Sequence, residues 1–162
     1  APEDQKRVLD RVVALGDSKQ RITTDDLPFI IADVLESNDY QHLKLERCDM
    51  QSDSSGRANA SIDVAFDGKS YTAEGEGNGG FDAFSAALDK AMSEVGLRLP
   101  ELLDYKVHIP RGGHTNALTE TSITWQLANG SKTTTRGMHA NQVFAAIEAT
   151  LRVVNRLLHE QA

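Results

Sequence analysis

The sequence predicts an α+β fold that contains one strand-strand-strand-helix unit twice. Apolar and polar residues alternate over residues 61–66 and again, in the same phase, over residues 122–127, as they do in half-buried strands. A turn dipeptide follows each alternating segment, and a long helical pattern closes each unit. An internal repeat is a strong signal because each copy describes one supersecondary unit. We therefore expect antiparallel sheets with helices on one face.

Two short helices are predicted before the repeats. Residues 2–15 carry one apolar stripe among charged residues, and Gly16 ends the pattern. A second helix is predicted from Thr24, which can cap the first amides, and residues 37–39 break it. The pair is too small to fold alone. We interpret residues 1–38 as a helical connector that precedes a domain formed by residues 39–162.

The first repeat is predicted over about residues 39–98. It has strands at residues 40–51, 61–66 and 69–75, and Asp67-Gly68 forms the hairpin turn between the last two. A glycine-rich segment, residues 75–80, is predicted to turn the chain into a helix over residues 81–95. Glycine suits such a turn because it adopts backbone conformations that other residues avoid.

The second repeat is predicted over about residues 99–162. Its strands are expected at residues 104–109, 122–127 and 131–136, with Asn129-Gly130 as the turn, and its helix at residues 140–159. Ile62 matches Ile123 at an offset of 61 positions, and Phe84 matches Phe144 at an offset of 60. The near-constant offset indicates that the two repeats share one architecture.

The last helix predicts a homodimer. Its apolar positions extend well beyond a single stripe, and a helix of this kind is buried on more than one side. We expect a second copy of the chain to cover the surplus. The apolar positions of this helix are Ala140, Val143, Phe144, Ala145, Ala146, Ile147, Ala149, Leu151, Val153, Val154, Leu157 and Leu158.

Composition excludes several classes of protein. A net charge of −7 argues against a nucleic-acid partner, because such proteins need a basic surface. No apolar run approaches the ~20 residues that span a bilayer, so no membrane partner is expected. Cys48 is the one cysteine, which excludes an intrachain disulfide and fits a cytoplasmic location. The chain begins without methionine, and we expect it to be a piece of a longer protein.

The sequence offers little catalytic chemistry. His108, His114 and His139 could in principle serve a metal site, but solvated or capping histidines are the favoured interpretation. The segment at residues 75–80 lacks the lysine of a phosphate loop, and Glu76 would repel phosphate. A helix start with Asp82 in its first turn suits a zwitterion better, although Asp82 could equally compensate the helix dipole. We predict no catalytic residues, no metal and no cofactor in this chain.

Several segments together resemble the allosteric domain of 2-isopropylmalate synthases and citramalate synthases. Residues 77–83 (GNGGFDA) resemble the turn that opens the first helix of that domain, and residues 103–107 (LDYKV) resemble its following strand. Residues 113–117 (GHTNA), 137 with 141–146, and the connector at residues 21–27 are similar to further segments in the same order. Gly80 stands where the family usually has proline, and Asn116 where it usually has aspartate.

The resemblance implies a dimer of two βββα units that binds a branched-chain amino acid and is itself non-catalytic. It implies leucine as the effector of feedback inhibition, with isoleucine as the alternative if the parent is a citramalate synthase, and a catalytic barrel elsewhere in the parent acyltransferase. Carried over by position, the effector-binding residues would be Phe81, Asp82, Leu102, Tyr105, Ile109, Thr121, Ala140 and Gln142.

A different class of function also remains open at this point. The chain could be a small stand-alone α+β enzyme that uses His114 or His139 with Asp82 as an acid/base pair. Binding of amino acids without turnover would separate the two alternatives.

Overall fold

The computed structural model describes residues 1–17, 27–36, 41–109 and 117–161 of the chain. These residues form four helices and six strands, and the α+β class with two βββα units is confirmed. In chain order the elements are α1 (Pro2–Asp17), α2 (Leu27–Glu36), β1 (Leu43–Ser52), β2 (Arg57–Phe66), β3 (Lys69–Asn78), α3 (Gly80–Ser93), β4 (Glu101–His108), β5 (Thr119–Gln126), β6 (Lys132–His139) and α4 (Gln142–Gln161).

The six strands form two separate three-stranded antiparallel sheets, in the orders β1-β2-β3 and β4-β5-β6. In the first sheet β1 and β3 both pair with β2, and a bulge interrupts β1 between Leu45 and Arg47. Each sheet therefore contains the three consecutive strands of one repeat.

The two hairpin turns differ in conformation, although their sequences look alike. Asp67 and Gly68 both have positive φ, 46° and 87°, which is the tight turn predicted from Asp-Gly. In the second hairpin only Gly130 is left-handed, and the Asn129 side chain accepts bonds from the amide and hydroxyl of Ser131. The second connection is therefore a longer loop closed by an asparagine side chain.

The glycine-rich segment at residues 75–80 was predicted as a turn, and most of that prediction is wrong. β3 continues to Asn78, and within the segment only Gly79 has a positive φ, 107°. Gly75 is required for space instead, since a Cβ there would lie 2.4 Å from both Ala83 O and Ala87 N of α3. Because Gly75 has no side chain, the backbone of α3 can lie directly against β3.

The same close approach of a helix to a glycine occurs in the second repeat, and it corrects the alignment of the two repeats. A Cβ at Gly137 on β6 would lie 2.0 Å from Ala145 O and 2.9 Å from Ala149 N of α4. Gly137, Ala145 and Ala149 each lie 62 positions after the corresponding residue of the first repeat. Phe84, which is fully buried, therefore corresponds to the buried Ala146 and not to Phe144, which is only half-buried.

Packing divides the chain into two compact units. The connector unit consists of Ala1–Asn38, Leu102–Trp125 and Lys132–Arg152, and the first-repeat unit consists of Asp39–Glu101, Gln126–Ser131 and Val153–Ala162. The connector helices thus pack with elements of the second repeat. They share a buried cluster formed by Leu15, Ile30, Val34, Leu118 and Met138, with Val8 and Val12 packed against it.

The reason given for a dimer, surplus apolar surface on α4, is not supported by the structure. No large hydrophobic side chain of α4 is among the exposed ones in the described residues, and Ala145 and Ala149 lie against Gly137 of β6. Exposed apolar side chains lie elsewhere: Leu102, Leu103, Val107 and Ile109 on or next to β4, and Leu9, Val13, Leu27, Ile31 and Leu35 on the connector helices.

The predictions for the capping residues 24–26, the break at 37–39 and the loop at 113–116, which includes His114, lie outside the described residues. The domain limits at residues 38 and 98 stay a prediction. No helix in the described part of the chain has both the length and the apolar character needed to cross a bilayer.

Candidate effector site

Three of the eight predicted effector-binding residues come together in the connector unit. Tyr105 lies half-buried on β4, Thr121 is fully buried on β5, and Gln142 is the first residue of α4. Burial raises the pKa of the Tyr105 phenol, and the nearby side chains of Thr121 and Gln142 act in the opposite direction. The structure therefore joins residues that are 37 positions apart in the sequence into one polar cluster.

Thr121 carries an unsatisfied hydroxyl within this cluster. It is close enough to Tyr105 to affect the pKa of the phenol, yet its Oγ1 makes no hydrogen bond of normal length and angle with the described residues. A buried polar atom without a partner costs about 1–3 kcal/mol of stability. A bound molecule is one of the partners that can satisfy such a group.

Leu102 and Ile109 are exposed, with 40% and 47% of their surface accessible. Successive side chains of a strand point to opposite faces, so Leu102 lies on the face of β4 opposite Tyr105, whereas Ile109 continues the Tyr105 parity just beyond the strand end. β4 by itself therefore presents the three predicted wall residues on two faces.

Ala140 lies two residues before the start of α4, where backbone amides of the first turn are already engaged. Asn141 Oδ1 accepts hydrogen bonds from the amides of Val143 at 2.9 Å and Phe144 at 3.2 Å. Asn141 therefore acts as the N-cap of α4. The sequence signal for it, an asparagine directly before an apolar helix, was available, but the helix was predicted to begin at Ala140. A carboxylate at this helix end would have to displace the Asn141 side chain or use other donors.

Phe81 and Asp82 belong to the first-repeat unit, at the start of α3. Asp82 is exposed, and its Oδ2 accepts a hydrogen bond from the Asn78 amide at 2.9 Å. The Phe81 ring stacks on Phe84, with ring centroids 6.4 Å apart. Asp82 therefore ties the end of β3 to the first turn of α3 through one of its carboxylate oxygens.

The connector unit also contains an ion-pair network that the sequence gave no means of finding. Glu148 of α4 accepts bonds from Arg11 of α1 and, at 2.9 Å, from Arg152. Arg11 also donates to the Met138 carbonyl, and Arg7 donates to Val34 O at 2.8 Å. These contacts join the connector helix α1 to α4 and β6, across 137 sequence positions in the case of Arg11 and Glu148.

His139 has structural contacts. Its Nδ1 accepts a hydrogen bond from the Asn141 amide at 2.8 Å, and its ring lies against Phe144. Burial lowers the pKa of His139, and the carboxylate that opposes this shift is Glu148, which is already bound to two arginines. In the described ranges, no group of three or more His, Cys, Asp or Glu residues is arranged to hold a metal ion.

A family model described as the LeuA allosteric (dimerisation) domain matches residues 21–158. The chain belongs to this family. The match includes both repeats and the second connector helix, so the close glycine–helix contacts and the Tyr105 cluster are features of a LeuA allosteric domain.

Relatives bear two enzyme names. A Methanoculleus marisnigri protein named as an (R)-citramalate synthase is 34% identical over 158 residues, which is 96% of this chain and 30% of that protein. A Methanopyrus kandleri protein named as a 2-isopropylmalate synthase is 34% identical over 157 residues, 96% of this chain and 31% of that protein. The Aquifex aeolicus 2-isopropylmalate synthase is 27% identical over 96% of the chain and 29% of its own length. The chain thus spans about a third of the length of these relatives.

Proposed function

We propose that this domain binds leucine and transmits feedback inhibition to the catalytic barrel of a cytoplasmic 2-isopropylmalate synthase-like acyltransferase. The domain acts as a homodimer and carries out no reaction itself. Family membership and the relatives that bear the synthase name support this proposal.

The observation that carries the proposal is the Tyr105 cluster with its unsatisfied Thr121 hydroxyl. A branched-chain amino acid needs polar partners for its charged ends and apolar surface for its side chain. Thr121 and Gln142 supply polar atoms, the Tyr105 ring supplies apolar surface, and exposed Ile109 lies on the same side of the chain as Tyr105. Leu102 and Ala140 stay part of the proposed site, and the binding role of Phe81 and Asp82 stays a prediction from the sequence.

Isoleucine is the alternative effector. Relatives named as citramalate synthase and as 2-isopropylmalate synthase share the same 34% identity with this chain, so identity does not separate the two parents. The two amino acids differ only in the position of one methyl group, which an apolar pocket distinguishes by about 1–3 kcal/mol.

Calorimetric titration of the purified chain with leucine and isoleucine tests the proposal, with the D-enantiomer of leucine as a matched control. We expect saturable binding of one L-amino acid and at least tenfold weaker binding of D-leucine. At a hundredfold excess over the dissociation constant, the bound effector should add about 2.7 kcal/mol to the free energy of unfolding. Absence of binding and of any melting shift at millimolar concentrations of both L-amino acids would overturn it.

The stand-alone enzyme remains a weaker alternative. It needs a histidine free to exchange protons with Asp82, but the carboxylate that acts on His139 is Glu148, and Asp82 bonds to the Asn78 amide. His114 lies outside the described residues. Turnover of an amino-acid or acyl substrate by the purified chain would favour this alternative.

A further inference from the structure

Two histidines meet in the first-repeat unit, and neither belongs to the Tyr105 cluster. His42, immediately before β1, and His159, in the last turn of α4, lie with His42 Nε2 and His159 Nδ1 3.4 Å apart. The other ring nitrogen of His42, Nδ1, lies 3.0 Å from Asp67 Oδ1. The His42 ring therefore lies between the Asp67 carboxylate and the His159 ring, with one of its nitrogens near each.

Asp67 fixes the orientation of the His42 ring. The hairpin turn holds Asp67 at φ 46°, the one non-glycine residue with positive φ in the described part of the chain, and its amide donates to His42 O at 2.8 Å. In the tautomer that carries its proton on Nδ1, His42 donates this hydrogen bond to the Asp67 carboxylate, and the lone pair of Nε2 is then directed away from Asp67. This is the way in which a carboxylate orients a metal-binding histidine from behind.

The same region has a rigid anchor one helical turn earlier. Asn155 lies four residues before His159 and is buried, and Leu43 follows His42 directly. The Leu43 amide donates to Asn155 Oδ1 at 2.7 Å, and Asn155 Nδ2 donates to Leu43 O at 3.1 Å. These paired bonds hold the end of α4 against the start of β1, so the two imidazoles are brought together before any ligand arrives.

We propose that His42 Nε2 and His159 Nδ1 chelate one divalent transition-metal cation of the zinc class, with Asp67 as the orienting carboxylate. Zinc binds imidazole nitrogen at about 2.0–2.1 Å in tetrahedral geometry, which places two such nitrogens about 3.3–3.4 Å apart. The observed separation of 3.4 Å matches this spacing. Water completes the coordination, and the cation fastens the last turn of α4 to β1.

Titration of the intact 162-residue chain, free of any affinity tag, with Zn²⁺ by calorimetry tests the site. We expect one cation per chain, and we expect Co²⁺ in its place to give the visible absorption of a tetrahedral centre. His159→Gln should weaken Zn²⁺ binding by at least about tenfold, and Asp67→Asn by about ten- to a hundredfold, since loss of an orienting partner has that effect. His108→Asn, at the exposed end of β4, is the matched control and should bind as the parent does.

Circular dichroism separates loss of the site from loss of the fold, because each variant should keep the parent spectrum. If the parent binds no Zn²⁺ at submillimolar concentration, the two rings share only a proton and the proposal is wrong. Equal affinity of the His159→Gln variant and the parent would also overturn it, since the cation would then bind elsewhere. Neither result affects the test with leucine and isoleucine, whose proposed residues are all different.

Discussion

The hydroxyl of Thr121 is the residue-scale feature from which the effector site can be tested most directly. Thr121 is fully buried, and its hydroxyl makes no well-formed hydrogen bond with the described residues. A valine side chain has nearly the same shape and would fill the same space without a polar atom. A hydroxyl kept under these conditions lowers stability unless something binds to it.

Thr121→Val should therefore separate stability from binding. In the absence of effector we expect the free energy of unfolding to stay equal or to rise by about 1 kcal/mol, because an unsatisfied polar atom is removed. Affinity for the effector should fall by at least about fivefold, as a hydrogen bond to the ligand is lost. Chemical denaturation and calorimetry measure the two effects. Unchanged affinity would place the pocket away from Thr121.

Two substitutions of Asp82 separate the effect of its negative charge from the effect of its hydrogen bond with the Asn78 amide. Asn at this position can still accept the bond from the Asn78 amide but carries no charge, whereas Ala removes both. If Asp82 receives the effector ammonium, Asp82→Ala and Asp82→Asn should both weaken binding by about ten- to a hundredfold, the range of a charge-assisted hydrogen bond.

Only the alanine variant should also lower stability, by about 1 kcal/mol. Parent-like affinity in the asparagine variant would limit Asp82 to its structural role. In the proposed parent synthase, a loss of effector binding should appear as feedback resistance with catalysis retained, because the two proposed sites would be linked only by a coupling free energy.

At the scale of elements, helix–strand contact in both repeats depends on a glycine in the third strand. Gly75 faces Ala83 and Ala87 of α3, and Gly137 faces Ala145 and Ala149 of α4. The contacting atoms belong to the helix backbone, which cannot move aside as a flexible side chain would.

Gly75→Ala and Gly137→Ala should each lower the free energy of unfolding by about 3 kcal/mol, since an added methyl group in a packed region forces the backbone apart. Gly130→Ala is the control: Gly130 has positive φ but open space around it, and its loss should cost only about 1 kcal/mol. Urea denaturation measures the free energy of unfolding of each variant, and the values can be compared if its dependence on urea concentration is unchanged. The packing argument fails if the Gly137 variant is no less stable than the Gly130 variant.

At the scale of the whole molecule, the uncovered apolar surface among the described residues predicts where a second copy would bind. β4 is the edge strand of its sheet, and its large apolar side chains Leu103 and Val107 are 39% and 38% exposed. An exposed apolar edge strand is unfavourable in an isolated protein and is usually covered. We therefore expect the dimer interface to include β4, where the prediction from sequence relied on α4.

The chain should be a homodimer at micromolar concentration in multi-angle light scattering. Leu103→Lys combined with Val107→Lys should shift it toward monomer, because two charges would be buried in an apolar contact. Ser55→Lys, on the exposed turn between β1 and β2, adds a charge elsewhere and should leave the dimer intact. A monomeric parent would contradict the prediction, and so would a dimeric double variant.

The sequence by itself determined the secondary structure, its repetition and the family. Alternation, turn dipeptides and helical stripes are local patterns, which is why the βββα order is recovered and most boundaries fall within a few residues. The predicted effector residues also came from sequence, through resemblance carried over position by position, and their binding role stays a prediction.

Only the tertiary structure decided what these residues contact. That Gly75 and Gly137 serve close packing and not a turn follows from atoms of a helix that comes later in the chain. The bonds between Arg11 and Glu148, between Asn155 and Leu43, and the meeting of His42 with His159 join residues more than 100 positions apart. Sequence periodicity reports the face on which a side chain lies. It carries no information about which distant element covers that face, because the covering element is selected by the packing of the folded chain.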